Sequence, residues 1–77
     1  MEDLSYKRRG VLEEQLDANY HGRFVAMEAP NKELLYGRIQ TIGIECDGQF
    51  SYTVTINLDG KRVISDYDNF IKTTQLL

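Results

Sequence analysis

The spacing of apolar residues changes after the first 20 residues of the chain. Leu4, Val11, Leu12 and Leu16 recur at the spacing of one helical face, and charged side chains fill the opposite side. The tetrapeptide Asn-Tyr-His-Gly at residues 19–22 is a helix stop signal. This pattern predicts an amphipathic helix over residues 1–20.

From residue 23 onward, apolar and polar residues alternate as they do in half-buried strands. Pro30 cannot lie inside a strand ladder, so it marks a connection. The pair Asp59-Gly60 suits a type I′ hairpin, which needs positive φ at both residues. The pattern predicts strands at residues 24–29, 34–45, 50–57, 61–66 and 70–77.

The second predicted strand changes phase along its length. Leu35, Gly37 and Ile39 share one face, whereas Ile42 and Ile44 fall on the other. A phase slip of this kind is typical of a β-bulge or a sharp bend. We therefore expect this strand to bend near its middle.

Seventy-seven residues form one domain, near the lower size limit for a self-sufficient hydrophobic core. A sheet this small must curl to bury its apolar face and to remove exposed edges. The sequence predicts a single, mainly β domain over residues 1–77. Its N-terminal helix spans 1–20, and over 23–77 a five-stranded, strongly bent antiparallel sheet closes as a small barrel.

The composition indicates the cellular setting more than the function. The single cysteine, Cys46, allows neither an intrachain disulfide nor a cysteine-based zinc site, and a lone thiol fits a reducing cytosol. The chain starts Met-Glu-Asp and lacks any apolar run near the roughly 20 residues that span a bilayer. We therefore expect a cytoplasmic protein with neither a signal peptide nor a membrane anchor.

No arrangement of reactive side chains in the sequence indicates catalysis. The single histidine, His21, stands at the helix stop without a nucleophile motif nearby, which favours a capping or surface role. Asp66, Asp68 and Asn69 carry oxygen ligands that suit a divalent cation, but the calcium-loop spacing is missing and a turn is the better interpretation. We predict a protein that is not an enzyme and has no cofactor and no bound metal.

Two segments resemble the Sm/LSm family, whose subunits begin with a short helix and continue with five bent strands. Residues 34–42 (LLYGRIQTI) resemble the first Sm motif, with a glycine at the bend of the second strand. Residues 63–71 (VISDYDNFI) resemble the close of the second motif, where a strand, a tight turn and the final strand follow one another. The resemblance implies that the predicted barrel is Sm-like, of the SH3 type.

The resemblance also implies a site for single-stranded RNA or DNA in two loops that line a central pore. In the bacterial Hfq branch of the family, a Gln-Phe pair is usual where this chain has Gln49 and Phe50. A Tyr-Lys-His triplet is usual where it has Tyr67, Asp68 and Asn69, so the tyrosine is kept and Asp68 replaces the lysine. Aromatic rings stack on bases, and Asn or Gln side chains read base edges. The residues alone leave open that the two aromatic rings belong to the barrel core.

Candidate phosphate contacts are few. Lys7, Arg8 and Arg9 form a basic cluster on the predicted helix, and Arg38 is a further candidate on the second strand. The net charge is −3, whereas a generic phosphate-binding protein is basic. Two alternatives therefore stay open: a Tudor-like or SH3-like module that binds a protein partner, and a structural assembly subunit.

Self-assembly is the last implication of the family resemblance. The predicted outer strands, at residues 62–66 and 70–75, leave two different open edges. Head-to-tail pairing of different edges either closes a ring or runs on as a fibre. We predict a cyclic homo-oligomer of five to seven subunits.

Overall fold

The computed structural model describes residues 4–48 and 51–77, with side chains described from residue 7 onward. The elements follow in the order α1 (Leu4–Tyr20), β1 (Phe24–Glu28), β2 (Leu34–Cys46), β3 (Tyr52–Leu58), β4 (Lys61–Asp66), α2 (Tyr67–Thr73) and β5 (Gln75–Leu76). The strands form one five-stranded antiparallel sheet in the order β4-β3-β2-β1-β5. The predicted N-terminal helix followed by a five-stranded antiparallel sheet is thereby confirmed.

The predicted apolar face of α1 is only partly buried. Leu16 is in the core and Leu12 packs against it, but Val11 is 54% exposed. The side chain of Leu4 lies outside the described residues. The helix ends at Tyr20, inside the predicted stop signal. No helix in the described part of the chain has the length and apolar character needed to cross a membrane.

The predicted bend in the second strand is confirmed. β1 pairs with the first part of β2, up to Arg38, and β3 pairs with the part from Ile39 onward. The register to β3 shifts between Ile39 and Thr41, which is the bulge that the phase slip indicated. Because the buried side switches there, Ile39 and Ile44 both reach the same core.

β3 and β4 form the hairpin that the sequence predicts at Asp59-Gly60. The φ angles of these residues are 52° and 89°, so both are positive as a type I′ turn requires. The Gly60 N–H donates to Asn57 Oδ1 at 2.6 Å, and this local hydrogen bond stabilises the turn. Alternate side chains of β3 enter the core, namely Tyr52, Val54, Ile56 and Leu58.

The sheet is strongly bent, but the predicted closure into a barrel is wrong. Three strand spacings separate β1 from β4 in the sheet order, which is about 14 Å in a flat sheet. Yet Asn69 Nδ2 donates both to the Glu28 carbonyl at the end of β1, at 2.9 Å, and to Ser65 Oγ on β4, at 2.8 Å. β1 and β4 therefore approach each other at this point, and α2 lies between them in place of direct strand pairing.

The predicted last strand at residues 70–77 is wrong over its first four residues, which belong to α2. Asp66 is the N-cap of this helix, since its Oδ1 accepts the N–H of Asn69 at 2.7 Å. The helical turn buries Phe70 completely, and its ring packs edge-on against Tyr20 with centroids 5.2 Å apart. Only Gln75–Leu76 remain as β5, paired with Val25 and Ala26 of β1.

Candidate nucleic-acid interface

The residues of the basic cluster on α1 differ in their surroundings: two are on the surface and one packs against the sheet. Lys7 and Arg8 are exposed, whereas Arg9 is half-buried against β2. Arg9 Nη1 donates to the Ile44 carbonyl at 3.3 Å, and the Ile44 N–H donates to Glu13 Oε2 at 3.2 Å. Arg9 and Glu13, one helical turn apart, thus satisfy both the carbonyl and the N–H of Ile44. In this way α1 covers the part of β2 that does not pair with β1.

Asn69 is held inside the fold. Its side-chain amide donates to Glu28 and Ser65 as described above, and its backbone N–H is capped by Asp66. Thr73, one turn later, accepts the N–H of Glu28 at 3.1 Å. Since both amide protons of Asn69 are used in these contacts, reading a base edge would require breaking the link between α2 and the sheet.

Tyr67 is half-buried at the start of α2 beside a buried tyrosine of β3. The rings of Tyr67 and Tyr52 meet edge to face, with centroids 6.4 Å apart and planes 66° apart. Together with Ser51, Asp66 and Asp68 they line a hollow of about 180 Å³. We call it the tyrosine hollow; its two carboxylates oppose a phosphate at this position. The other predicted pore residues, Gln49 and Phe50, lie outside the described residues.

Arg38 lies on the outer face of the sheet, opposite Phe24 across β1 and β2. Its guanidinium carbon is 4.8 Å from the centroid of the Phe24 ring, which is a cation–π contact. Tyr36 lies one row along the same face, opposite Ala26. Phe24 is 49% and Tyr36 64% exposed, so both rings are open to solvent.

We call these three residues, Phe24, Tyr36 and Arg38, the aromatic–arginine face. Arg38 was predicted from the sequence but neither ring was, because the family resemblance implies aromatic contacts in loops. The signal was nonetheless present in the alternation of β1, where Val25 and Met27 are buried and Phe24 therefore points outward.

Comparison with known proteins gives no relative. No protein-family model, curated protein or solved structure matches the chain. Within residues 4–48 and 51–77, no group of three or more histidine, cysteine, aspartate or glutamate side chains is arranged to hold a metal ion. Two surfaces remain as candidate binding sites: the aromatic–arginine face and the tyrosine hollow.

Proposed function

We propose that the chain is an Sm-like subunit of a cyclic homo-oligomer that binds single-stranded nucleic acid. The observation that carries the binding proposal is the aromatic–arginine face, where two exposed rings and a guanidinium share one face of the β1–β2 pair. Stacking on exposed aromatic rings contributes about 1–3 kcal/mol per base and tolerates any base. Arg38 adds a charged donor for a phosphate beside the stacked bases.

The arrangement on the sheet favours stacking of successive nucleotides. Phe24 and Tyr36 stand on neighbouring antiparallel strands as diagonal neighbours, since Phe24 pairs with Arg38 and Tyr36 with Ala26. Diagonal neighbours on one face are about 7–8 Å apart between Cα atoms. The rings are therefore separate platforms for two bases. Arg38 is a neighbour of both, since it lies opposite Phe24 and two residues from Tyr36 on β2.

The charge of the chain sets the expected mode of binding. With a net charge of −3, phosphate contacts supply little of the affinity, and stacking supplies most of it. Arg23 and Arg38 are the exposed arginines next to Phe24 in the sequence or across the sheet. Two phosphate contacts correspond to a slope of about −1.4 for the logarithm of the binding constant against the logarithm of salt concentration. A slope of about −4 or steeper would contradict binding at this face.

Ring assembly is supported by the two open ends of the sheet. β4 and β5 are outermost in the strand order, and within the described residues neither pairs with a second strand on its outer side. Leu76 and Leu77 are 46% and 71% exposed beside the β5 edge. Pairing β4 of one subunit with β5 of the next would bury this apolar surface, and a ring would repeat the aromatic–arginine face, which raises affinity through multivalency.

Replacing Tyr36 tests the binding proposal directly. Tyr36→Ala is expected to weaken binding of a fluorescently labelled single-stranded oligonucleotide by about 1–3 kcal/mol, because it removes one stacking platform. The measurement is fluorescence anisotropy at low and at physiological salt. Ile71→Ala is the matched control: it truncates an exposed apolar residue away from this face, on α2, and should leave the affinity unchanged.

Two results would contradict this location of the site. If Tyr67→Ala weakens binding and Tyr36→Ala does not, the pore loop predicted from the sequence is the site. If the wild-type protein binds neither RNA nor DNA at low salt, where electrostatic attraction is strongest, nucleic-acid binding itself fails. If the protein is also a monomer, the alternative of a Tudor-like or SH3-like module that binds a protein partner is favoured.

A further inference from the structure

We propose that the tyrosine hollow binds an organic cation, namely a protonated amine that carries small alkyl groups and keeps one N–H. The inference does not depend on nucleic-acid binding, because the hollow and the aromatic–arginine face share no residue. It rests on three observations about the hollow: its aromatic walls, its charge and a buried hydroxyl without a partner.

The aromatic walls are Tyr52 and Tyr67. Their planes are 66° apart and their centroids 6.4 Å apart, so the rings form two sides of a corner and do not stack flat on each other. A cation is attracted to the face of an aromatic ring when it lies within about 6 Å of the ring centroid. Tyr67 is only half-buried, so it offers part of its surface to a ligand in the hollow.

The charge of the hollow is negative. Asp66 and Asp68 line it, and none of the described residues that line it is basic. Asp66 is fixed in place by the hydrogen bond from the Asn69 N–H, and Asp68 is exposed at the rim. Two carboxylates beside two aromatic rings favour a cation whose alkyl groups are weakly hydrated, because such a cation loses little by leaving water.

The Tyr52 hydroxyl is the reason why the hollow should prefer a ligand that carries an N–H. Tyr52 is 9% exposed, and its hydroxyl has no hydrogen-bond partner among the described residues. A buried polar group without a partner is unfavourable, so a donor from a ligand would be stabilising. The hydroxyl is closed off from solvent, so the half-buried Tyr67 ring has to turn aside for a ligand donor to reach it. A quaternary ammonium has no N–H and cannot make this bond.

Three small molecules of nearly the same shape test the proposal by NMR chemical-shift titration of the intact protein. They are protonated 2-(dimethylamino)ethanol, choline and the neutral 3,3-dimethylbutan-1-ol. The proposal expects saturable shifts around Tyr52 and Tyr67 in the order dimethylaminoethanol, choline, neutral alcohol, with the first at least about tenfold tighter than the last. Equal affinity for the charged and neutral compounds, or no saturable binding of either cation, would overturn it.

Variants of the two tyrosines separate the ring contribution from the hydroxyl contribution. Tyr67→Phe should keep cation binding and Tyr67→Leu should lose about tenfold, whereas Tyr36→Leu on the other face should change nothing. Tyr52→Phe should bring the affinities for dimethylaminoethanol and choline together. A Tyr67→Leu protein that is folded by circular dichroism and binds as the wild type does would also overturn the proposal.

Two further ligands identify the source of the cation and separate this site from nucleic-acid binding. A short peptide with one dimethyllysine that binds tighter than free dimethylaminoethanol supports a peptide-borne amine, and the opposite order supports a free one. Uridine monophosphate is the second ligand. If it binds the hollow and the cations do not, the organic-cation site is wrong, and the predicted pore-loop site is favoured in its place.

Discussion

At the scale of single residues, the role predicted from the sequence and the role in the structure differ most at Asn69. The family resemblance placed it in a pore loop, and its amide instead connects α2 to β1 and β4. The sequence could not reveal this, because the contact joins residues 41 positions apart and exists only once the sheet has bent. By contrast, the positive φ angles of Asp59 and Gly60 follow from local turn chemistry and were predictable.

Gly37 provides a prediction at the residue scale. A Cβ at this position would lie 2.7 Å from Asp59 Oδ2 and 3.0 Å from Leu58 Cγ, so the Asp59 side chain and the buried Leu58 side chain must shift to accept it. Gly37→Ala should lower the free energy of unfolding by about 1–3 kcal/mol, as overpacking does. Gly43→Ala, where a Cβ would lie 4.0 Å from the Thr55 carbonyl oxygen, is the control in the same strand. Urea unfolding of both variants measures the difference, and equal stability would contradict the close approach.

At the scale of elements, the strands with strict alternation and the bulge in β2 were predictable, because each depends on the pattern of a few neighbouring residues. α2 was missed because residues 70–74 include Phe, Ile and two Thr, which favour strands, while the helix is decided by the Asp66 cap and by the burial of Phe70. Barrel closure was predicted wrongly for the same reason: α2 lies between β1 and β4, so these strands do not pair directly.

The link between α2 and the sheet gives a prediction at the element scale. Asn69→Ala removes the amide donor to Ser65 Oγ and leaves the Glu28 carbonyl only the longer bond from Thr73 Oγ1 at 3.4 Å. The free energy of unfolding should therefore fall by about 1–3 kcal/mol. Asn19→Ala, at an exposed position in α1, should change it by less than about 0.5 kcal/mol. The two variants are compared by thermal and urea unfolding. A stable Asn69→Ala protein with weakened oligonucleotide binding would instead favour the pore-loop role.

At the scale of the whole molecule, the acidic charge and the open sheet edges have different consequences. The charge limits how strongly phosphates are held, so the proposed nucleic-acid binding relies on stacking at the aromatic–arginine face. The edges leave backbone groups of β4 and β5 for a neighbouring copy. The short β5 could not be located from the sequence, because the Asp66 cap and the burial of Phe70 make residues 70–73 helical. The outward direction of Phe24, by contrast, follows from the alternation of β1.

A charge placed on the β4 edge tests the assembly at this scale. Ile64 is 48% exposed in the middle of β4, and a lysine on an edge strand deters pairing with another strand. Ile64→Lys is therefore expected to shift the protein from ring to monomer. Val11→Lys, which makes the same change at an exposed apolar position of α1, should leave the assembly intact. The reverse pattern would place the contact between subunits on the helix.

The mass of the wild-type protein in solution tests the central claim, that the open sheet edges of identical chains join into a closed ring. Light scattering after size-exclusion chromatography at micromolar concentration gives this mass without reference to shape. We expect a single species of five to seven times the 8.9 kDa chain mass. A monomer or a two-fold dimer at that concentration would contradict it.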